Sequence, residues 1–375
     1  MQCDLKTDIS RYARQIILSE VGEQGQQRLK DSKILVVGAG GLGCPVLLYL
    51  AGAGVGTIGI VDNDIVSVSN LHRQILYSTA DVGNLKVLAA KRRINQLNPD
   101  IVVHTVATTL NPDNVLSLLA EYDIIVDATD NFDAKYLISD ACIESGKPMV
   151  YASISQFEGQ VSVFNYYDRQ TQQRGPCFRD LFEKPPPLHL TQNCSEAGVL
   201  GIIPGLLGCF QVNEVLKLIL RAGEPLSGQL LSIDCLDNTF HLLSIAKKTR
   251  SQPFAKTLGA ATTPLWRDSD WLSPDTLHEW IASKAPFQLV DVRDVSEHQQ
   301  GSLGGGLIPL KDIIKRQEEL DSTRRIVFYC KSGVRSKAAL LAVRGVNQKA
   351  ELYCLEGGIE RYLAFYPNEC SPFVS

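Results

Sequence analysis

Apolar runs alternate with helix-length segments through the first half of the chain. This alternation is typical of βαβ units that build a parallel sheet, so we predict a doubly wound α/β domain. Before it, Ser10–Lys30 is polar with apolar residues at helical spacing, which predicts a helical arm. The runs predicted to be buried strands are Lys33–Gly38, Thr57–Val61, Ile101–Val106 and Ile124–Asp127.

The pattern changes after Val150–Phe164, which is predicted to be strand material. From Tyr167 to Ser195 the chain has no clear periodicity, and a structureless loop of that length is usually a functional lid or crossover. We place the crossover loop at residues 168–197. The apolar pattern then predicts a long helix over Gly198–Ala222 and further strands over Gln229–Leu243.

A polar stretch predicts a linker between this domain and a second, smaller α/β unit. Beyond the linker, Ser273-Pro274-Asp275 is a good helix start. Gln288–Asp291 and Ile326–Tyr329 are predicted to be buried strands of the second unit. The predicted organisation is a first α/β domain at residues 1–247, a linker at 248–268 and a second α/β domain at 269–375.

Composition and charge restrict the classes of function. The 375 residues are 45% hydrophobic and 21% charged, as in an ordinary soluble globular protein. A net charge of −4 argues against a surface for nucleic acid. The N-terminus lacks an apolar signal segment and no run approaches a membrane span, so we expect a cytoplasmic protein. Its ten cysteines are then expected to be thiols, some of them catalytic.

A glycine-rich turn follows the first predicted strand. Gly38, Gly40 and Gly43 have the spacing of a turn that cradles a phosphate between a strand and a helix. Asp62 follows about 20 residues later, where a carboxylate can accept hydrogen bonds from ribose hydroxyls. Taken alone, these residues predict NAD or FAD.

Charged residues beyond the turn favour a nucleotide with a leaving group. Arg73 and Lys86 would place two fixed cations beside the phosphates, where they stabilise charge on departing pyrophosphate. Asp130 could hold Mg²⁺, which prefers one or two carboxylates together with phosphate oxygens. Hydride transfer needs none of these groups, so we predict ATP with Mg²⁺ and disfavour a dehydrogenase.

Three motifs resemble one family of enzymes. Arg11-Tyr12-x-Arg14-Gln, Ser69-Asn70-Leu-His-Arg73-Gln and Asp127-x-x-Asp130-Asn131 are similar to the MoeB/ThiF family, bacterial relatives of ubiquitin-activating enzymes. The resemblance covers roughly Asp8–Ile245. It implies a Rossmann-like domain that adenylates the C-terminal Gly-Gly carboxylate of a small ubiquitin-like sulfur carrier. It also implies a homodimer in which Arg14 reaches the neighbouring subunit's nucleotide. The contacts to ATP or its Mg²⁺ that it implies are Gly41, Asp62, Ser69, Asn70, Leu71, His72, Arg73, Lys86, Asp130 and Asn131.

Cys194 lies at the end of the crossover loop, just before the predicted long helix. A helix N-terminus favours a thiolate, so we expect a reactive thiol here. Relatives are proposed to use a cysteine at this place to attack the activated carrier or the sulfur adduct. The cysteines expected to be small packed thiols are Cys44, Cys142, Cys209 and Cys235.

Many relatives bind structural zinc through two Cys-x-x-Cys pairs. Here the first pair is replaced by Cys177-Phe-Arg-Asp180, and the region of the second pair, Thr249–Ala255, contains no cysteine. Because tetrahedral structural zinc normally needs four nitrogen or sulfur ligands, we predict that this domain binds no zinc.

A second reactive loop, Cys330-Lys-Ser-Gly333-Val-Arg335, joins a predicted strand to an apolar helix that begins near Ser336. Backbone N–H groups of such a loop can converge on the sulfur, and the helix dipole adds positive potential, so a thiolate or persulfide is stabilised. Gly333 permits the turn, and Arg335 can bond the anion or brace the loop. The loop resembles the rhodanese family over Trp271–Tyr366. Phosphatases on this scaffold use one residue more between Cys and Arg, so sulfur transfer is favoured.

These motifs together predict adenylation of a carrier carboxylate, followed by sulfur transfer from a Cys330 persulfide to give a thiocarboxylate. An external donor such as a cysteine desulfurase would load the persulfide. The residues predicted to be catalytic are Cys194, Cys330, Arg73 and Arg335. Two alternatives stay open: an activating enzyme for protein conjugation through a Cys194 thioester, with a docking module at the C-terminus, and a non-enzymatic adaptor. The carrier and the pathway, such as molybdopterin or thiamine biosynthesis, also stay open.

Overall fold

A computed structural model describes residues 11–183, 198–248, 267–346 and 351–367. The described residues form two compact units. The first unit contains residues 11–183 and 198–248, and the second contains residues 267–346 and 351–367. Each unit has a sheet and a hydrophobic core of its own.

An eight-stranded sheet organises the first unit. Its strands are β1 (Lys33–Val37), β2 (Thr57–Val61), β3 (Val102–Val106), β4 (Ile124–Asp127), β5 (Met149–Ser155), β6 (Glu158–Phe164), β9 (Gln229–Asp234) and β10 (Thr239–Ser244). Their order is β10-β9-β6-β5-β4-β1-β2-β3. Strands β1 to β5 are parallel, and β6, β9 and β10 extend the sheet antiparallel to their neighbours. The doubly wound fold class is confirmed, and β1, β2 and β4 are the buried strands predicted. The prediction of a buried strand at 101–106 is wrong in part, because β3 lies at the edge of the sheet and is partly exposed.

Helices cover both faces of this sheet. They are α1 (residues 11–16), α2 (Gly22–Asp31), α3 (Gly43–Ala53), α4 (Lys86–Leu97), α5 (Val115–Leu119), α6 (Phe132–Ser145), α7 (Phe178–Leu181) and α8 (Ile202–Leu220). Along β1, Ile34 and Val36 belong to one core with α3, α4 and α8. Leu35 and Val37 belong to the other core, with α5, α6 and α7. This alternation explains why the central strands β1, β2 and β4 are largely apolar, since both of their faces are buried.

Helix α8 is the one helix of the described residues that is long and apolar enough to cross a membrane. Half of its most apolar window is buried within the first unit. Ile203, Leu207 and Val215 pack in the core, and Glu214 pairs with Lys217 at 2.6 Å. We therefore interpret α8 as a core helix of the doubly wound unit.

The segment that begins at Tyr167 is more ordered than its sequence predicts. Strands β7 (Tyr167–Asp168) and β8 (Gln173–Arg174) form a two-stranded ribbon, and α7 follows. The ring of Phe178 lies 4.9 to 5.8 Å from the rings of three aromatic residues, Tyr136, Tyr151 and Phe164. The expectation of a structureless loop is therefore wrong for residues 167–183. The sequence pattern missed this order for two reasons. Two-residue strands are too short to show a periodicity, and Phe178 packs against residues that are distant in the sequence.

A five-stranded parallel sheet organises the second unit. Its strands are β11 (Trp271–Leu272), β12 (Phe287–Asp291), β13 (Gly306–Leu307), β14 (Arg325–Tyr329) and β15 (Leu352–Leu355), in the order β11-β15-β14-β12-β13. Its helices are α9 (Pro274–Ala282), α10 (Val295–Gln299), α11 (Val334–Val346) and α12 (Gly358–Phe365). The predicted start of α9 is confirmed, because the Ser273 hydroxyl accepts a hydrogen bond from the Thr276 N–H at 3.1 Å.

Candidate active sites

The glycine turn joins β1 to α3 at the carboxyl edge of the parallel strands. Gly38 is left-handed, with φ +97°, and a Cβ there would lie 2.6 Å from the carbonyl oxygen of Ala128. A Cβ on Gly43 would overlap the carbonyl oxygen of Gly38. Both positions therefore require glycine. The amino end of α3, whose first N–H groups have no partner within the helix, follows the turn directly and fits a phosphate.

Two side chains fix Ala39 within the turn. Asp62 accepts a hydrogen bond from the Ala39 N–H at 2.7 Å through one carboxylate oxygen, and from the Asp64 N–H at 2.8 Å through the other. The Tyr77 hydroxyl donates to the Ala39 carbonyl at 2.8 Å, and burial raises the pKa of Tyr77, which keeps this donor protonated. Asp62 therefore braces the turn, and its oxygens retain lone pairs for a ribose hydroxyl.

The residues from Ser67 to His72 form a compact turn beside the glycines. Val68–Asn70 is a 3₁₀ helix, and the Asn70 side-chain oxygen accepts a hydrogen bond from the Ser67 N–H at 3.2 Å. The hydroxyls of Ser67 and Ser69 lie 2.9 Å apart. Leu71 is half-buried and His72 is exposed. The turn thus places several backbone and side-chain groups along one edge of the predicted nucleotide site.

The two predicted cations are held by acceptors of this same region. Arg73 donates to the carbonyl oxygen of Ser69 at 3.0 Å. Lys86 is only 4% exposed, and its ammonium group lies 2.7 Å from a carboxylate oxygen of Asp64. The cations are therefore fixed near the turn before any nucleotide binds.

The amino end of α8 packs against these residues. A Cβ on Gly201 would overlap the carbonyl oxygen of His72, and a Cβ on Gly41 would lie 3.0 Å from the ring of Pro204. The chain that follows the crossover loop therefore enters the predicted nucleotide site. Cys194 is outside the described residues, so its predicted role stays a prediction.

The carboxyl end of β4 supplies the predicted acidic group. Asp130 is exposed, and Asn131 caps α6 by accepting a hydrogen bond from the Ala134 N–H at 2.9 Å. Arg14, on α1, is also exposed. A solvent-accessible carboxylate oxygen at this edge suits Mg²⁺ together with phosphate oxygens.

Sequence analysis did not single out Lys135, which lies behind this loop. Its buried ammonium group donates to Asp127 at 2.9 Å and to the carbonyl oxygens of Thr129 and Ala152 at 2.9 and 2.8 Å. Asp127 is fully buried. The ion pair anchors the loop that carries Asp130. A lysine one turn after the helix cap Asn131 is the only local signal for it.

Cys330 begins the loop between β14 and α11. Its Sγ accepts a hydrogen bond from the Gly333 N–H at 3.1 Å and lies 3.6 Å from the hydroxyl of Ser336. That hydroxyl donates to the Gly333 carbonyl at 2.9 Å. Gly333 has φ +96°, a left-handed conformation that glycine adopts readily. The backbone donor at the sulfur suits a thiolate or persulfide.

Arg335 braces this loop against α10. Its guanidinium group makes two hydrogen bonds to Glu297, at 2.6 and 2.8 Å. These bonds lower the pKa of Glu297 to about 2. Of the two roles predicted for Arg335, the geometry favours bracing. Nearby, Arg293 and the His298 Nδ1 both contact the buried Asp291, at 2.7 and 2.8 Å, which fixes the start of α10.

Several other cysteines behave as packing residues. Burial raises the pKa of Cys44 to about 12, and it also raises the pKa of Cys142. Cys209 and Cys235 are partly exposed, with pKa values raised by burial. Cys354 is fully buried and its pKa is raised by burial. A raised pKa favours the protonated thiol, which is the less reactive form.

A model of the ThiF family matches residues 12–254, which include the glycine turn, the cations and the Asp130 loop. The chain belongs to the ThiF family. A rhodanese-like domain model matches residues 273–365 of this ThiF-family chain. That match contains the Cys330 loop and its brace, so the predicted resemblances are confirmed.

Relatives of the chain are named as adenylyltransferases, and two of those that follow are named as sulfurtransferases as well. The probable adenylyltransferase/sulfurtransferase MoeZ of Mycobacterium tuberculosis is 39% identical over 365 residues, 94% of this chain and 92% of MoeZ. Adenylyltransferase and sulfurtransferase MOCS3 of Anopheles gambiae is 41% identical over 337 residues, 84% of this chain and 75% of MOCS3. The sulfur carrier protein adenylyltransferase of Thermus thermophilus is 48% identical over 245 residues, 65% of this chain and 90% of that protein. This ThiF-family chain is an enzyme, an adenylyltransferase joined to a sulfurtransferase.

Solved structures share the fold of the ThiF-family part. The E. coli MccB structure with MccA-N7isoASN has a TM-score of 0.56 at 22% identity, covering 64% of this chain and 72% of MccB. At that identity the likeness concerns the fold alone. The structure of PaaA has a TM-score of 0.54 at 27% identity, covering 64% of this chain and 75% of PaaA.

Asp180 stands where many ThiF-family relatives are expected to have the second cysteine of a zinc pair. Its carboxylate accepts hydrogen bonds from the Cys177 N–H at 2.8 Å and from the Lys248 N–H at 3.2 Å. It thus links α7 to residue 248, the last described residue of the first unit. Within the described ranges, no three His, Cys, Asp or Glu side chains are grouped to hold a metal ion. Thr249–Ala255 lies outside them, and the zinc-free state stays a prediction.

Proposed function

We propose that the chain adenylates the C-terminal Gly-Gly carboxylate of a ubiquitin-like sulfur carrier and then transfers sulfur to it from a Cys330 persulfide. The observation that carries this proposal is the pairing, on one chain, of two sites. One is a glycine turn flanked by Arg73 and Lys86, and the other is a cysteine whose sulfur accepts a backbone N–H. The name of the Thermus thermophilus relative, a sulfur carrier protein adenylyltransferase, supports the substrate class.

Adenylation is a displacement at the α-phosphorus of ATP. A carboxylate oxygen of the carrier bonds to phosphorus, and the bond to the bridging oxygen breaks to release pyrophosphate. The glycine turn and the amino end of α3 bind phosphate, while Arg73 and Lys86 stabilise the charge that develops on the leaving group. Asp62 accepts a hydrogen bond from a ribose hydroxyl. Asp130 would hold Mg²⁺, which would neutralise part of the charge on the phosphates.

Sulfur transfer replaces the adenylate. The outer sulfur of the Cys330 persulfide bonds to the acyl carbon and AMP leaves, which gives an acyl disulfide. The Gly333 N–H stabilises the sulfur anion before attack. A second thiolate must then attack the Cys330 sulfur, which expels the thiocarboxylate and leaves Cys330 in a disulfide, and we propose that Cys194 assists this release. A thiol reductant then returns Cys330 to the free thiol. An external persulfide donor, such as a cysteine desulfurase, transfers a new sulfur atom to it.

Exchange of labelled pyrophosphate into ATP, with a carrier that ends in Gly-Gly, tests the first step. Arg73→Ala and Asp130→Ala should each lower exchange by about 100-fold or more, because the first removes a cation that acts on the phosphates and the second removes a carboxylate that would hold Mg²⁺ there. Cys330→Ala should leave exchange unchanged. Exchange that survives both of the first two variants would exclude the proposed site.

Mass spectrometry of the carrier tests the second step. After incubation with the chain, Mg²⁺, ATP and a persulfide donor, one carrier oxygen should be replaced by sulfur, and Cys330→Ala should prevent it. Failure with every Gly-Gly carrier tried would overturn the transfer step. Covalent adducts between carrier and other proteins, without thiocarboxylate, would support conjugation through a Cys194 thioester.

We further propose a homodimer in which Arg14 serves the nucleotide of the neighbouring subunit. Arg14 is exposed on α1, and the apolar residues Ile17 and Leu18 that follow are 72% and 53% exposed. Mixing inactive Arg14→Ala and Arg73→Ala variants tests this. In a mixed dimer, the subunit with intact Arg73 receives an intact Arg14, so exchange should return. If mixing restores nothing while both variants remain dimeric, Arg14 acts within its own subunit or not at all.

We also propose the boundaries 1–247 for the adenylation domain, 248–268 for the linker and 269–375 for the rhodanese domain. The two compact units and the family matches at 12–254 and 273–365 support them. A cytoplasmic location would supply ATP and keep the reactive cysteines reduced.

A further inference from the structure

Ser336 is a fully buried residue in the first turn of α11. Its hydroxyl oxygen lies 3.6 Å from the Sγ of Cys330, whose thiol donates a hydrogen bond to it. The same hydroxyl donates to the carbonyl oxygen of Gly333 at 2.9 Å. Ser336 therefore contacts both the reactive sulfur and the glycine whose N–H bonds that sulfur.

The Gly333 carbonyl does not depend on this hydroxyl. It also accepts a hydrogen bond from the N–H of Lys337 at 3.1 Å. A serine hydroxyl has one hydrogen, which rotates about the C–O bond to suit its surroundings. The Ser336 hydrogen can therefore turn away from Gly333 without leaving a buried carbonyl unpaired, which would destabilise the loop.

Deprotonation of Cys330 reverses the hydrogen bond between the two side chains. A thiol donates its S–H proton, whereas a thiolate has only lone pairs and accepts. When that proton passes to solvent, the Ser336 oxygen faces a sulfur anion, and the attractive arrangement is the one with the hydroxyl hydrogen turned towards Sγ. The anion then has two donors, the Gly333 N–H at 3.1 Å and the Ser336 O–H.

Cys354, on β15, makes a hydrogen bond with the same hydroxyl. It is fully buried, and burial raises its pKa well above the ordinary value, so it stays a protonated thiol when Cys330 ionises. Once the Ser336 hydrogen has turned towards Cys330, the S–H of Cys354 can donate to the Ser336 oxygen. The turned hydroxyl thus keeps a donor of its own within the core.

The two cations of the Cys330 loop are paired with carboxylates. The ammonium group of Lys331 lies 3.5 Å from Glu360 on α12, and the guanidinium group of Arg335 bonds Glu297 on α10. Their positive charge is therefore partly offset by two anions. Neutral donors such as the Ser336 hydroxyl consequently supply more of the stabilisation of a sulfur anion.

We propose that the Ser336 hydroxyl is a catalytic group that donates a hydrogen bond to the Cys330 sulfur anion, an inference that rests on the sulfur transfer proposed above. During loading, the Cys330 thiolate bonds to the outer sulfur of the donor persulfide, the S–S bond of the donor breaks, and the donor leaves as a thiolate. Ser336 forms no covalent bond in this step. It raises the fraction of Cys330 that is ionised near neutral pH, and this gain exceeds the accompanying loss of intrinsic nucleophilicity.

Ser336→Ala tests this in the full chain, because alanine removes the hydroxyl, leaves little empty space and favours a helix. Alkylation by iodoacetamide, followed by mass spectrometry of the peptide that contains Cys330, measures the reactivity of this thiol. At about pH 6 the rate should fall by about 3- to 10-fold, because a hydrogen bond to a charged group is lost and higher nucleophilicity offsets part of that loss. The difference should disappear at about pH 10, where a cysteine thiol is ionised with or without the hydroxyl.

Two further variants separate the hydroxyl from the fold. Ser336→Thr retains a hydroxyl and should be alkylated faster than Ser336→Ala at about pH 6. Ser302→Ala is the matched control in the same unit, since Ser302 is also buried but its hydroxyl accepts the Gly304 N–H at 3.3 Å. This change should lower the unfolding temperature and leave the alkylation of Cys330 unchanged at every pH.

Unchanged alkylation of Ser336→Ala at about pH 6 would overturn the proposal, and so would a threonine variant no faster than the alanine variant. Equal slowing at every pH would also overturn it, since the loop would then be displaced and not merely deprived of a donor. Loading of Cys330 in the unaltered chain by a persulfide donor, measured by mass spectrometry, separates the two failures. If loading occurs, sulfur transfer stands whatever Ser336 does. If loading is absent while the alkylation results hold, the hydrogen bond stands and sulfur transfer fails.

Discussion

Arg335 and Glu297 form a doubly hydrogen-bonded ion pair that ties the amino end of α11 to α10, with distances of 2.6 and 2.8 Å. The two residues are 38 positions apart in sequence. Arg335 is in the first turn of α11, directly after the Cys330 loop. The pair therefore holds α11, the helix whose amino end faces the reactive sulfur. The loop therefore depends on an acidic residue of another helix for its position.

This pair predicts a specific acid sensitivity of the second unit. The hydrogen bonds from Arg335 lower the pKa of Glu297 from 4.5 to about 2. The folded state thus binds this proton less readily than the unfolded state, so the stabilisation is full above the ordinary pKa and is lost as the pH falls towards 2. Glu297→Gln should remove this part of the pH dependence.

Tryptophan fluorescence in urea titrations at several pH values measures this. All three tryptophans, at positions 266, 271 and 280, belong to the linker and second-domain sequence. Identical pH profiles of stability for Glu297→Gln and the unaltered chain would contradict the prediction. Cys330→Ala should keep the unaltered profile and serves as the control.

Lys135→Met should destabilise the first unit by about 3–5 kcal/mol, because it leaves the carboxylate of Asp127 buried without a counter-charge. Urea unfolding followed by far-UV circular dichroism measures the change. Lys135→Arg, which retains the positive charge, should lower the free energy of unfolding by less. A loss below about 1 kcal/mol for the methionine variant would mean that water or another cation replaces the lysine.

Gly43→Ala should reduce pyrophosphate exchange, because its Cβ would overlap the carbonyl oxygen of Gly38 and displace the turn. Gly52→Ala, on the same helix, is the matched control. A Cβ at Gly52 meets nothing within 4 Å, so this change should stabilise α3 by up to about 1 kcal/mol and leave exchange intact. Equal exchange by the two variants would show that the turn tolerates a side chain.

Chelation should leave the unfolding temperature of the first unit unchanged, because Asp180 joins Cys177 and Lys248 by hydrogen bonds. Elemental analysis should find less than one zinc per chain. Asp180→Ala should lower stability by about 1–3 kcal/mol through the two N–H groups that lose their acceptor. A chelator that lowers the unfolding temperature, or one equivalent of zinc, would refute the zinc-free prediction.

Features that depend on residues close together in the sequence were predictable from it. Strands such as β1 and β4 follow from apolar runs, since strands buried on both faces must be apolar throughout. The left-handed Gly38 and Gly333 follow from the strand-to-helix turns that they occupy. The order of the described residues 167–183 was missed, because Phe178 is held by aromatic rings far away in the chain.

By itself, the sequence determined the fold class, the two reactive loops and the residue types that suit phosphate and sulfur, because spacing and period act over a few residues. Only the tertiary structure decided how charges are paired and which polar groups are left without partners. Asp180 accepts a hydrogen bond from Lys248, 68 positions away in the sequence. Lys135 donates a hydrogen bond to Ala152 on β5, the strand next to β4. The side-chain oxygen of Gln74 has no partner among the described residues for the same reason. Hydrogen bonds require atoms within about 3 Å, and the folded chain alone sets those distances.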